Sequence, residues 1–423
     1  MQFITLQDPN VRFVVFGMIL MGIGSATIGT FAFLRKRSLT GDAIAHSVLP
    51  GICLAFMIFD TRNLWVLLGG AFVTGWLSII FVDLITKKSK LKSDAAIGIT
   101  LSVFFGVGIL LLTYIQQTGN ASQSGLNNFL FGKAAAMSPD DIKTMGIVSF
   151  ILIVAVIIFF KELSAFSFDP DYAKTSGLPV NFLEILLTTL TVLAVAVGIQ
   201  AVGVVLMAAM LITPSAAAKY WTDNLKKMIL LSILFSVLGG ITGAYVSFAN
   251  NKMPTGPWVV TMTSIIAVLS ILFAPKKGVV PKYFVRKKYK NKMLRENILK
   301  EFYHLEEKKP EKKYFTINEI LNEREMISWN YKSGLKMLLR RDLIVNEKVG
   351  YNLTESGRAE GKRITRVHRL WEMYLTQQLN IASDHVHDDA EAIEHIITPE
   401  IEKKLIELLN FPEKDPHEKT IPY

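Results

Sequence analysis

The sequence predicts an α-helical integral membrane protein of about nine transmembrane helices, continuing into a C-terminal cytoplasmic winged-helix plus helical dimerisation-like domain. Three observations predict it. The first 275 or so of 423 residues are dominated by long apolar runs, in a chain that is 51% hydrophobic. From Lys276 the text changes to KKGVVPKYFVRKKYKNKMLRENILKEFYHLEEKKPEKK, which no lipid-facing helix could contain. Beyond it, three helical patterns and a hairpin pattern follow one another in the winged-helix order.

Runs long enough to cross roughly 30 Å of hydrocarbon lie at 11–33, 43–59, 64–85, 95–115, 141–160, 182–198, 200–218, 228–249 and 257–274. The first has neither a basic flank before it nor an A-x-A site after it, so it reads as a transmembrane helix rather than a cleaved signal. The second starts at Asp42 and contains Pro50-Gly51, while the sixth and seventh run together across GIQAVGVVLMAAMLITPSAAA. Eight or ten spans are therefore alternatives. Pro50-Gly51 and Thr213-Pro214-Ser215 are the places for broken helices, with simple proline kinks as the other reading.

An N-terminus outside the cell puts Arg35, Lys36, Arg37, Lys87, Lys88, Lys161, Lys226, Lys276 and Lys277 in the cytoplasm and leaves few basic residues, such as Arg12, Arg62, Lys133 and Lys252, outside. This predicts a multi-pass protein of the cytoplasmic membrane with a cytoplasmic C-terminus. Cytoplasmic loops and the basic linker explain the formal charge of +10 better than nucleic acid alone. Cys53 is the only cysteine, which excludes internal disulfides and thiolate-rich metal sites.

The polar stretch KELSAFSFDPDYAKTSGLPV at 161–180 contains a short helical candidate, DYAKTSG, bracketed by Pro170 and Gly177. It reads as a docking knob for a soluble partner, or more plainly as a connecting loop. After the charged stretch come helices at about 292–307, Ile317 to Asn322 and 329–342, then LIVNEKVGYNLTESG, a hairpin pattern with Gly350 at its turn. A long helix from about Glu355 to Leu379, a His- and acid-rich block from Asp384 to His395 and a last helix near Glu400 to Leu409 complete the chain.

The chemistry is concentrated in two places. Asp42 and His46 stand four residues apart in an apolar run, so on a helix they share a face. Ionisable groups at membrane depth are costly and mark polar pathways. The pair suits a divalent cation, with a proton relay or a structural hydrogen-bonded pair as alternatives. One carboxylate and one imidazole give only two donors where a divalent ion takes four to six, so a two-fold arrangement of two chains contributing a pair each is attractive. Oxygen and imidazole donors suit Mn²⁺, Fe²⁺ or Zn²⁺ and disfavour Cu⁺. The chain has no P-loop: Gly132-Lys133 lacks both the upstream glycine spacing and the Ser/Thr, so ATP is not bound by that route. In the second place, His368 and Glu372 share one helix face and His387, Glu391, Glu394 and His395 the next, six N/O donors that suit a binuclear divalent site. Charged residues on a solvated helix are the plainer reading. Lys332, Lys336, Arg340 and Arg341 could face a phosphate backbone from the third helix.

Two resemblances sharpen these expectations. LRKRSLTGDAIAHSVLPG at 34–51, NNFLFGKAAAMSPDDI at 127–142, FDPDYAKTSGLPV at 168–180 and AVGVVLMAAMLITPSAAA at 201–218 resemble the permeases of the metal-uptake branch of the ATP-binding-cassette importers, across residues 10 to 275. The resemblance implies a second permease, the same or a different chain. It also implies a pair of cytosolic ATPases docked on the turn carrying Asp169, Asp171, Ala173 and Gly177, and an extracytoplasmic metal-binding lipoprotein. LTESGRAEGKRITRVHRLWEMYL at 353–375, HVHDDAEAIEHI at 385–396 and DPHEKTIP at 415–422 resemble the diphtheria-toxin-repressor class of metalloregulators. That likeness implies regulatory ligands at the six positions above, and a carboxylate at Glu391 leans toward manganese. Asn297 and Lys300 stand where the regulators' first helix adds further ligands, and a protonated lysine cannot ligate. Membrane tethering and the lack of an SH3-like third domain before Tyr423 make DNA binding a minor expectation.

The domains expected are a transmembrane permease domain at 1–275, a basic linker at 276–291, a winged-helix-like domain at 292–358 and a helical metal-binding or dimerisation-like domain at 359–423. The expected function is the permease subunit, itself not an ATPase, of an importer of divalent metal, Mn²⁺ first, with a cytoplasmic metal-sensing domain. A membrane-anchored metal-responsive transcription regulator and a proton-coupled metal carrier are the alternatives.

Overall fold

The computed structural model describes residues 8–35, 38–61, 63–117, 132, 137–249, 253–322, 328–379, 381 and 393–423. The chain forms two compact units, Met1–Pro281 and Lys282–Tyr423.

The first unit is helical throughout its described length. In chain order its helices are α1 (Pro9–Leu34), α2 (Ser38–Phe59), α3 (Leu64–Lys88), α4 (Ser93–Gln117), α5 (Pro139–Ile158), α6 (Phe160–Phe168), α7 (Pro170–Thr175), α8 (Val180–Val202), α9 (Val204–Trp221), α10 (Leu225–Ala249) and α11 (Thr255–Phe273). Local chemistry sets the ends. Asp8 accepts the backbone N–H of Asn10 at 2.8 Å with Pro9 in the first turn of α1, and Ser138 and Asp141 make a reciprocal capping box on α5.

Among the described residues, eight helices are long and apolar enough to cross a membrane: α1 to α5, α8, α10 and α11. The expected seventh span is α9, shorter at 18 residues. It is parted from α8 by backbone rather than by polarity, because Gly203 takes φ 87°, ψ 163°, a conformation essentially open to glycine alone. The anticipated breaks at the prolines do not occur: α2 runs through Pro50 and α9 through Pro214.

Two helices form the middle of the unit. α1 packs against α5, α8, α9 and α10, and α2 against α3, α4 and α9. The α2–α3 crossing is close because both helices carry glycine there. A Cβ on Gly51 would lie 2.1 Å from the Gly70 carbonyl oxygen. The outer surface remains apolar, with Leu110, Phe150, Ile157 and Leu230 about two-thirds exposed, as a lipid-facing wall requires.

The second unit begins in α12 (Val279–Lys308), followed by α13 (Ile317–Asn322), α14 (Ser328–Leu339), the strands β1 (Ile344–Glu347) and β2 (Gly350–Leu353), α15 (Glu355–Leu379) and α16 (Pro399–Leu408). The helix expected from about 292 starts thirteen residues earlier, so most of the expected linker is helical. Its Lys, Arg and Met residues support a helix, and Pro281 falls within the first turn, where proline is tolerated. β1 and β2 pair antiparallel with Ile344 opposite Leu353 and Glu347 opposite Gly350, and Phe315 exchanges both backbone hydrogen bonds with Tyr351 at 2.9 Å. Ile298, Phe302, Tyr331, Leu338 and Ile344 fill the winged-helix core, while Val367 and Leu370 of α15 pack with Leu405, Leu409 and Ile421.

Candidate functional site

α2 places Asp42 and His46 one turn apart in the middle of the first unit. His46 Nε2 lies 3.5 Å from Asp42 Oδ1, with the imidazole 15% and the carboxylate 37% exposed. The ring stands edge-on to Phe105 of α4, centroids 4.8 Å apart at 88°, which fixes its plane. His46 Nδ1 is buried and has no hydrogen-bond partner. A buried polar atom without a partner is expensive; the ring's other nitrogen, Nε2, is the one that faces the carboxylate and can share an ion with it. Among the described residues, no three His, Cys, Asp or Glu side chains are grouped to hold a metal ion. This chain alone thus brings two donors together, fewer than a divalent ion takes.

At 161–180, α6 and α7 meet at Asp169. The Asp169 carboxylate accepts the backbone N–H groups of Asp171 at 3.1 Å and Tyr172 at 3.0 Å, capping the one-and-a-half turns of α7. Gly177, at φ +80°, closes the other end, and the Leu178 N–H returns to the Ala173 carbonyl at 3.0 Å. Asp169 and Gly177 therefore build the turn, Ala173 roots it with no exposed surface, and Asp171 and Tyr172 project outward. One residue read in the sequence only as a topological charge takes part. The Arg35 guanidinium lies 4.1 Å over the Phe166 ring, donates to the Phe166 carbonyl at 3.4 Å, and approaches Glu184 of α8 at 3.9 Å. It ties the end of α1 to the helix that precedes the knob. The basic cluster LRKR held that signal, but nothing in one sequence separates a structural arginine from its neighbours Lys36 and Arg37, which lie outside the described residues.

In the second unit, four of the six expected regulatory donors are described; His387 and Glu391 lie outside the described residues. The four are brought together, but around a lysine. Lys300 Nζ donates to both oxygens of Glu394, at 2.7 and 2.9 Å, with the two side chains 3% and 0% exposed. Glu394 also meets His368 Nδ1 at 2.5 Å, and His368 Nε2 lies 3.1 Å from Glu372. His395 lies between Glu394, 3.6 Å from its Nε2, and Glu296, whose Oε2 is 2.7 Å from its Nδ1 and which the sequence did not single out. Burial disfavours a charged His368, but its hydrogen bonds to Glu372 and Glu394 outweigh burial and raise its pKa. Burial likewise opposes a charged Glu394, yet His368 and Lys300 hold its carboxyl below the usual range. A buried ammonium in bidentate contact with the central carboxylate does not fit a divalent centre built on Glu394, because the ammonium already supplies the positive charge a metal would bring. Asn297 Oδ1 is buried nearby without a partner.

Lys332, Lys336, Arg340 and Arg341 all lie exposed, on α14 and just beyond it.

Comparison with known proteins then defines the relationships. Residues 7–274 match the family model described as the ABC 3 transport family, and residues 354–423 that of the iron dependent repressor, metal binding and dimerisation domain. The chain is 40% identical over 392 residues to the manganese transport system membrane protein MntC of Bacillus subtilis, covering 92% of this chain and 90% of that protein. It is 38% identical over 281 residues to the zinc transport system membrane protein TroC of Treponema pallidum, covering 66% of this chain and 94% of that protein. Among solved structures it superimposes on a chain of PsaBC from Streptococcus pneumoniae in complex with Fab, with TM-score 0.60 and 34% identity, over 68% of this chain and 99% of that one.

Proposed function

The chain belongs to the ABC 3 transport family, and from that premise we propose that it carries a divalent transition metal, Mn²⁺ first and Fe²⁺ or Zn²⁺ by the same donor chemistry, as the permease of an ATP-driven importer. It is a multi-pass membrane protein with a repressor-like C-terminal domain. The observation that carries the metal reading is the His46 imidazole, whose Nε2 lies 3.5 Å from the Asp42 carboxylate one helical turn away in an otherwise apolar helix.

In this reading Asp42 and His46 offer the passing ion one oxygen and one nitrogen, and the same pair from a second permease completes a four-donor site. Such a site binds weakly enough to release, as a pathway must. The knob at Asp169 to Gly177 receives a cytosolic ATPase, and Arg35, anchored on Phe166, relays its movement to α1. An extracytoplasmic lipoprotein delivers the ion, and the excess of Lys and Arg in the connections assigned to the cytoplasm supports a cytoplasmic C-terminal unit. A metal-sensing role for that unit draws no support from the donors around Glu394, which are satisfied by Lys300.

The test is energised uptake of radioactive Mn²⁺ by cells expressing the complete system, comparing wild type with His46→Ala at matched membrane abundance. Loss of uptake is expected; unchanged uptake makes Asp42 and His46 a structural pair. Uptake that persists in cells lacking the ATPase would favour a proton-coupled carrier instead.

A further inference from the structure

The second unit holds a cleft of about 790 Å³ between α12 and the C-terminal end of α14. Six cationic side chains line it: Lys287, Lys288, Lys292, Arg295, Arg340 and Arg341, with no carboxylate among the lining residues. Two of the six are partly engaged, Lys292 by the His395 carbonyl at 2.8 Å and Glu296 at 3.7 Å, and Arg295 by Glu360 at 3.5 Å. Lys287, Lys288, Arg340 and Arg341 make no ion pair with a described residue. Arg295 Nε is buried and has no hydrogen-bond partner. So many like charges facing one space repel each other, and a guanidinium N–H held out of water is unsatisfied. Both costs fall when anionic groups enter.

The same helix identifies the anion's source. Tyr283, Phe284 and Tyr289 are each about 60% exposed, beside Val285 at 53%. Large exposed aromatics interleaved with Lys and Arg suit the boundary between hydrocarbon and headgroups, where amphipathic rings settle. Only five residues, Ala274 to Gly278, separate α11 from α12. At no more than about 3.5 Å each, followed by 1.5 Å per residue along the helix, they keep Lys287 and Lys288 within about 35 Å of the end of the last membrane helix.

We propose that this cleft is a binding site for the phosphodiester headgroups of anionic membrane lipids, taken up by the face of the winged helix that would otherwise meet DNA. A DNA duplex carries the same charge as an anionic bilayer and is repelled by it, whereas lipid is present by virtue of the chain's own anchorage. The inference goes beyond the transport reading and stands whether or not metal is carried.

The test uses the full-length protein in nanodiscs of phosphatidylcholine alone or with about one-third phosphatidylglycerol, read by peptide-resolved hydrogen exchange. Each basic side chain at an anionic surface is worth about a fivefold change in binding. Exchange across 282–293 should therefore slow by about an order of magnitude with phosphatidylglycerol, an effect lost at high salt and in the Lys287→Gln/Lys288→Gln/Arg340→Gln/Arg341→Gln variant. These four side chains are solvent-facing, and unchanged exchange in α15 controls for folding. Equal protection in both lipids, or protection that survives in the variant, overturns the proposal. So does slowing produced by a DNA duplex but not by phosphatidylglycerol, which would assign the cleft to nucleic acid.

Discussion

Replacing Lys300 by methionine keeps the length of the side chain and deletes its charge. In the wild type the ammonium donates to both oxygens of Glu394, with the two side chains 3% and 0% exposed. Removing one partner of a buried pair leaves the other charge uncompensated and costs about 3–5 kcal/mol. Glu394 keeps its bond to His368, so the lower end applies, about 3 kcal/mol. For a unit of this size each kcal/mol moves Tm by about 2–4 °C, giving a fall of about 6–12 °C. Thermal unfolding of the full-length protein in detergent measures this, with hydrogen exchange in 296–302 and 364–372 assigning the transition to the second unit. Adding Glu394→Gln should recover most of the loss, because the orphaned carboxylate is then neutral. Lys300→Glu should instead create affinity for Mn²⁺ and regain stability in proportion to added metal. Unfolding of Lys300→Met together with the wild type would refute a buried ion pair at Lys300, as would stabilisation of the wild type by Mn²⁺ that His368→Ala abolishes.

Asp169→Ala should remove the cap of α7, costing about 1 kcal/mol locally and lowering ATP-dependent uptake, while Asp169→Asn should retain most of it; uptake at matched abundance compares them. Arg35→Ala should reduce uptake without reducing ATP hydrolysis by the assembled transporter, and equal losses of both would refute a relay role. Burial first, and then the positive charges of Arg369, Lys300, His368 and Lys419, lowers the pKa of His304 to about 3. An unfolded chain titrating near 6.5 therefore binds a proton that the folded one refuses. The stability of the second unit should be intact above about pH 6.5 and fall on acidification by about 1.4 kcal/mol per pH unit until about pH 3; denaturant titrations of wild type and His304→Leu across that range should diverge. Truncation after Lys277 should leave Mn²⁺ uptake intact and, because Lys300 satisfies the cluster, leave its response to internal metal unchanged as well.

The helices were legible because hydrocarbon demands long apolar runs, and Asp42 and His46 because charge in such a run is conspicuous. The parting of α8 from α9 was not, since Gly203 interrupts by dihedral angle in text that never turns polar. Lys300 could be seen as a wrong residue for a ligand, but that its ammonium would be sunk onto Glu394 depended on where α12 meets residues ninety-four positions later. Glu296 and Arg35 were obscured in the same way, each being one charge in a charged neighbourhood whose partner is distant in sequence. The two prolines also escaped a local rule: α2 and α9 pass through Pro50 and Pro214, both of which are buried among packed neighbours.

The junction at Gly203 limits what the gene can tolerate. α8 ends at Val202 and α9 starts at Val204, both without exposed surface, so no slack exists between them. Inserting or deleting one residue in a surface loop is absorbed by the loop. Here it would turn α9 by about 100° about its axis and slide it about 1.5 Å, presenting a different set of side chains to α1, α2 and α11 at once. Reading-frame-preserving indels should therefore be purged from 196–210 far more severely than from the connection at 309–316, and scanning insertion of a single alanine through both stretches, scored by membrane abundance, would trace that contrast residue by residue.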